Sequence, residues 1–366
     1  MTHKVIMNVG KAELGLIAQG SSVLGAGGGG NPYIGRLMVQ QILGDKGTVP
    51  VIELDALADD DLILPIAMMG APAVMVEKFP SGREIPDLVA MMERLMGRKV
   101  AAILCIEAGG LNSTIPFIAA AQMGLPIIDG DAMGRAFPEL QMVSFTLGGI
   151  KATPMAMFDD KGNGATFDTI SNKWTERLAR ALTIEMGGSA MVGLYVVTAG
   201  QIRDLLIKGS LSKALRMGQI MAEHGAGAAG VLAQTFGGAI LFQGRVRDVE
   251  RRSDSGFTRG KVVVEGQGNF KNREAELSFQ NEFLALREGS KTHATAPDLI
   301  TLLDANTGEP VTTDIVKYGL AVNVLGLPCD KIWRSPAALD LVGPRYFGLD
   351  MDYVPLRADH VQSDSD

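Results

Sequence analysis

The chain has 366 residues, enough for two ordinary domains, and its 46% hydrophobic against 20% charged residues can bury a substantial core, which excludes disorder on a large scale. A formal net charge of -7 with no cluster of Lys and Arg gives no electrostatic reason to expect nucleic acid or anionic lipid as a partner. The nearest basic stretch, Arg245 to Arg252, is interrupted by Asp248 and Glu250.

Apolar runs bounded by Gly, Pro and Asp alternate with segments of helical period over the first 220 residues or so, the pattern of an α/β domain with a mostly parallel sheet. In chain order the spacing predicts a strand over 4–9, a helix over 11–20, a second helix from an Asn31 cap and Pro32 to 43, and buried strands over 49–53 and 62–69. A strand over 99–106, a helix capped by Ser113 and running to 123, and a strand over 125–128 form a βαβ crossover with parallel strands. Residues 154–158 and 165–169 flank Asp159 to Gly164 as a hairpin; 171–186 is amphipathic, 190–197 is a strand and 210–222 a helix. Beyond Gly225, short strands such as 239–242, 260–264 and 275–279, with turns between them and little helix, read as a β-rich domain of sandwich or barrel type. The expected division is an α/β domain over 1–168, a second domain over 169–358 and a polar tail over 359–366.

Two cysteines, Cys105 and Cys329, make neither a disulfide framework nor a zinc motif. The first residues, Met1 to Val5, carry no secretory signal. The most apolar stretch, 62–76, holds Pro65, Gly70 and Pro72 and is too short to span a bilayer. A soluble, cytoplasmic protein with a reduced pair of thiols is expected, with self-association into a homo-oligomer.

Three loops hold the chemistry. Gly25 to Gly30 fits G-x-G-x-x-G with Glu53 further on, so an NAD-binding oxidoreductase is one reading and a tight connection between helices another. The preferred reading lets the backbone N–H groups of Gly27, Gly28, Gly29 and Gly30, with the helix start at Asn31, approach an anion or oxyanion of the substrate. Glu107-Ala108-Gly109-Gly110-Leu111-Asn112 follows one parallel strand, and Asp129-Gly130-Asp131 with Arg135 and Glu139 follows the next. Ligands bind open α/β sheets at that edge, so Glu107, Asp129 and Asp131 are expected to share one crevice and to raise the pKa of at least one of them. Each also has a plain alternative as a turn cap, a helix start or a salt-bridge partner.

Cys105, two residues before Glu107, is either core or a nucleophile. His224 ends a helix, where it complements the dipole or serves as ligand to a divalent metal such as zinc. In the second half, Asn281 and Asp298 either reach the crevice or serve turns.

These runs together resemble the S-methyl thiohydantoin desulfurase-like family, found beside hydantoinase and oxoprolinase genes. The Asp129 to Glu139 block carries the resemblance most specifically, and the glycine run, Glu107 to Asn112, Gln280 to Leu284, Pro297 to Ile300 and Val342 to Arg345 continue it. The resemblance implies an N-terminal α/β and a C-terminal β-rich domain linked to breakdown of hydantoins and their sulfur analogues. From the chemistry of the residues, Asp129 or Asp131 is the expected base, Glu107 the acid and Arg135 the orienting cation. Gly109, Gly110, Asn112, Glu139 and Asn281 join the glycine loop as substrate-binding candidates. A non-catalytic subunit supporting a hydantoinase or oxoprolinase partner is the alternative outside enzymes.

Overall fold

The structure, a computed structural model, describes residues 4–30, 32–70, 81–254 and 257–356, so the expected cap Asn31 and the tail over 359–366 lie outside the described residues. The described residues fall into two compact units. One takes those within Met1–Ser21, Gly30–Gly134 and Glu139–Arg216, the other those within Ser22–Gly29, Arg135–Pro138 and Met217–Asp366.

In the first unit the predicted apolar runs become β1 (Val5–Val9), β2 (Val49–Ile52), β3 (Leu62–Gly70), β4 (Ala102–Cys105) and β5 (Ile127–Ile128). β6 (Gly130–Asp131), β7 (Met155–Phe158), β8 (Gly164–Phe167), β9 (Ser189–Gly193), β10 (Val197–Thr198) and β11 (Ile207–Lys208) follow. Nine of them form one sheet in the order β1-β2-β5-β4-β3-β9-β7-β8, with β10 also on β3. The sheet is parallel only in its middle, where β2, β5, β4 and β3 run together, and antiparallel on both flanks. The expected mostly parallel sheet is therefore a mixed one. The hairpin accounts for part of the difference: the five-residue stretch from Asp159 to Asn163 is too short for a crossover, so β7 and β8 must run antiparallel.

β4, β5 and the first seven residues of β3 are buried without alternation, as strands with both faces covered must be. The helices around them stop where the sequence supplies glycine. Glu84–Met96 ends at Gly97 (φ 63°) and Ile115–Met123 at Gly124 (φ 66°), each returning its N–H to a carbonyl of the last turn. The crossover helix is capped by Thr114 and not by the expected Ser113, because Gly110–Ser113 winds into a short 3-10 turn first.

The second unit is built on one antiparallel sheet of eight strands, β12 (Ala239–Asp254), β13 (Phe257–Gly266), β14 (Glu274–Gln280), β15 (Glu282–Glu288), β16 (Lys291–Thr295), β17 (Leu299–Asp304), β18 (Pro310–Val311) and β19 (Ala321–Leu327). Their order is β16-β15-β14-β13-β12-β19-β17-β18. Every strand contributes to a single apolar cluster, among them Phe242, Val264, Leu277, Phe283, Ala294, Ile300, Val311 and Val324. One sheet thus rolls around its own core. β12 is far longer than its apolar start suggests, because its outer part alternates buried Gly244 and Val246 with exposed Arg245 and Arg247 and pairs along β13.

The glycine run is part of this second unit up to Gly29. It follows the helix Lys11–Leu24 and not a strand, so the strand-loop-helix arrangement of a dinucleotide site is absent. Phe283 N donates to Ala26 O and Thr313 N to Gly27 O, both at 2.8 Å, which ties the loop to the rolled sheet. At Gly27, φ is 89° and a Cβ would stand 2.4 Å from the Phe283 ring. Gly27→Ala is therefore expected to cost about 1–3 kcal/mol from overpacking and left-handed strain. A fall in the urea midpoint at unchanged slope checks it; an unshifted midpoint contradicts the packing described here.

Candidate active site

The loops after β4 and β5 carry the expected carboxylates, and the fold brings them together within the first unit. Ala132 N donates to Ile106 O at 3.1 Å, and Ala108 N to Asp131 Oδ2 at 2.8 Å, so the two loops are laced along one sheet edge. Glu107, 8% exposed, accepts from Asn112 Nδ2 at 2.6 Å. The same Asn112 accepts from Met68 N at 2.8 Å and donates to Met68 O at 3.3 Å, at the end of β3. The expected substrate donor Asn112 is thus an orienting group for Glu107. Gly109 and Gly110 are buried between these two residues, and Gly110 takes φ 65°.

Asp131 has no exposed surface. Besides Ala108 N, its carboxylate accepts from Gly134 N at 2.9 Å and from Ser210 Oγ at 2.6 Å. Burial pushes its pKa up to about 6, against the opposing pull of Ser210 and the amides of Ala108, Gly134 and Met133. Asp129 is equally engaged: Leu211 N (2.9 Å), Ser212 N (3.1 Å) and Ser212 Oγ (2.5 Å) all donate to it. It closes the positive start of the helix Ser210–His224, where a carboxylate is favoured. β6 and β11 pair antiparallel, Asp131 opposite Ile207, and this register sets the Asp-x-Asp spacing against Ser-x-Ser. Ser210 and Ser212 were not legible as site residues; their signal is the matching i, i+2 spacing at a helix start.

Cys105 is fully buried at the end of β4, with Sγ 3.9 Å from Ser113 O. Burial first, then the charges of Asp131, Asp129 and Glu107, push its thiol well up, so it stays protonated and has none of the thiolate character a nucleophile needs.

Several expected members stand elsewhere. Arg135 belongs to the second unit, is 1% exposed, and spends its guanidinium on carbonyls: Asp298 O at 2.6 Å, Phe283 O at 3.0 Å and Ala136 O at 3.1 Å. Burial lowers its pKa to about 10, and it lies 5.1 Å from the Phe137 ring centroid. It is a structural cross-link where an orienting cation was expected. The space a Cβ would take at Gly28 is occupied by the protein's own Glu282, whose Oε1 is 2.1 Å away. Gly29 and Gly30 take φ 72° and 74°.

Asn281, at φ 56°, exchanges bonds with Thr258 at the β14–β15 turn, and Asp298 accepts from Cys329 N, Tyr353 Oη and Leu356 N. Both therefore serve turns and loop ends. Glu139 accepts from Gln141 Nε2 at 2.5 Å. His224 is exposed, with Glu223 as its ionic neighbour among the described residues, 3.9 Å away. Among the described residues no group of three or more His, Cys, Asp or Glu could hold a metal ion, so the residues present do not fit the expected metal at His224.

A mixed α/β unit with carboxylates at the ends of its parallel strands, joined to a rolled antiparallel unit, is the class these features define. A crystal structure of a protein from Chromobacterium violaceum shares the fold, with a TM-score of 0.81 at 24% identity over 96% of this chain and 100% of that one. The profile of the N-terminal domain of S-Me-THD-like proteins matches residues 12–169 and that of their C-terminal domain residues 170–356. The chain belongs to this S-Me-THD-like family. No curated protein matches it. Among the described residues no helix is long and apolar enough to cross a membrane.

The pKa of Asp131 has a consequence for stability. Its value in the folded protein lies above the ordinary 3.8, so between 3.8 and about 6 the native state holds a proton that the unfolded chain has released. Stability from this group is complete below that window and is lost as pH rises through it. Relative to Asp131→Asn, which does not titrate, the wild-type protein should lose up to about 1.4 kcal/mol per pH unit across the window. Denaturant unfolding of both proteins from pH 4 to 7 measures the difference, and a flat difference contradicts it.

Proposed function

We propose that the chain is a hydrolase acting on a small five-membered cyclic ureide, an S-methyl thiohydantoin or hydantoin-like ring, by attack of water at C2 with release of a thiol. Membership of the S-Me-THD-like family supports the substrate class. The observation that carries the reaction type is Glu107, held by Asn112 at the end of β4, in a loop laced to the Asp131 carboxylate. C2 of such a ring is an amidine-like electrophile, and it needs a proton removed from water and a proton delivered to the ring nitrogen.

Glu107 is the acid and base in this reading, because it keeps some exposed surface where Asp131 has none, and Asp129 is committed to the start of the helix Ser210–His224. The Glu107 carboxylate takes one proton from water as the oxygen bonds to C2, and returns it to the ring nitrogen that receives the displaced C=N electron pair. It next takes the proton of the new hydroxyl as the C2=O bond forms and the C2–S bond breaks. The departing thiolate accepts that proton. Both hydrogens of water are then accounted for, one on nitrogen and one on sulfur, and the ring leaves as a hydantoin. Gly109 and Gly110 let the ring approach the backbone beside Glu107, and Asp129 and Asp131 hold the loops in place.

Thiol release from a small panel of S-methyl thiohydantoins tests the proposal directly, and silence across the panel ends it. Glu107→Gln keeps a carbonyl oxygen for Asn112 to donate to, so the melting temperature should stay where it is. Turnover should fall by about a hundredfold or more. A variant that retains full turnover removes Glu107 from the reaction.

A further inference from the structure

We propose that Ser210 is a positioning residue of this site, which fixes the Asp131 carboxylate and through it the loop that presents Glu107. The inference rests on the hydrolytic reading for its consequence in turnover, and on geometry for the rest. Ser210 is 3% exposed and opens the helix Ser210–His224. Its hydroxyl lies 2.6 Å from Asp131 Oδ1 and 3.1 Å from Ile207 O. The charged and nearer acceptor takes the proton. Asp131 Oδ2 in turn holds Ala108 N, the amide next to Glu107, and both oxygens accept from Gly134 N.

Ser210, Asp131, Ala108 and Glu107 therefore form one line of contacts, with covalent continuity only in its last step. Besides burial, the groups that shift this carboxylate are the Ser210 hydroxyl and the amides of Ala108, Gly134 and Met133. None of them is a cation. The hydroxyl of Ser210 and the backbone amides thus supply the attraction that keeps Asp131 charged inside the protein. Removing the hydroxyl favours the protonated carboxyl, which accepts less strongly from Ala108 N and loosens the Glu107 loop.

The test compares the wild-type protein with Ser210→Ala, whose smaller side chain fits the same space, and with Ser210→Thr, which restores a hydroxyl. In protein labelled with 13C at the aspartate carboxyls, the Asp131 resonance should titrate near pH 6 in the wild type. In Ser210→Ala the midpoint should rise by about one pH unit, since one unit corresponds to the loss of a charge-assisted hydrogen bond of ordinary strength. Ser210→Thr should return it toward the wild-type value. The acid limb of kcat/KM for thiol release should move by the same amount in the same direction.

A midpoint that does not move in Ser210→Ala overturns the proposal. So does a midpoint that moves while the acid limb stays, because Asp131 would then not act on Glu107. Absence of thiol release in the wild-type protein with a normally shifting Asp131 resonance would instead sink the hydrolytic reading and leave the Ser210–Asp131 coupling standing.

Discussion

Asp131 is where chain segments far apart in sequence are tied to a single charge. The turn Gly134, the loop amide of Ala108 and the helix-opening hydroxyl of Ser210 all point their donors at its two oxygens. Taking a carboxylate out of water costs several kcal/mol, and each hydrogen bond to a charged acceptor returns about 1.5–3 kcal/mol. The donors therefore nearly offset the desolvation, and the balance is visible as a pKa raised to about 6 and no further. Asp129, two residues earlier, is held by the same helix start. With these two fixed, the loops after β4 and β5 keep their shape, and Glu107 is presented on a rigid support.

The second unit meets the mirror-image problem with a buried cation. Arg135 points its guanidinium at three backbone carbonyls, and the nearby carboxylates of Glu282 and Asp298 oppose the burial that lowers its pKa. Phe283 stands second in β15 and Asp298 just before β17, and Ala136 follows Arg135 itself. Backbone needing donors, and a cation needing acceptors, complete each other. The Glu282 side chain lies close over Gly28, in the space a Cβ there would take.

The α/β and β-rich halves were legible because apolar periodicity reports burial directly: β3, β4 and β5 stand where unbroken apolar runs stand. The edge carrying Glu107, Asp129 and Asp131 was legible too, since a βαβ crossover obliges β4 and β5 to be parallel. Roles were less so. Whether a carboxylate faces a substrate or a ring of amides depends on residues such as Ser210, some 80 positions away, which no local pattern pairs with it. Arg135 looked like part of the Asp129–Asp131 motif because it is four residues from it, but the chain changes units between Gly134 and Arg135. The length of β12 was hidden for a different reason: an outer strand half with alternating charged residues loses the apolar run by which strands are found.

The second unit draws on pieces of chain made long before it. Residues 22–29 and 135–138 belong to it, and Ala26, Gly27 and Arg135 hold Phe283, Thr313 and Asp298, which leave the ribosome well over a hundred residues later. During synthesis those early segments must wait, their carbonyls and guanidinium served by water. A C-terminal half made alone from residue 170 would lack them altogether, leaving the Phe283 and Asp298 carbonyls without their cation. Maturation is in this sense circular: the beginning of the chain is finished by its end.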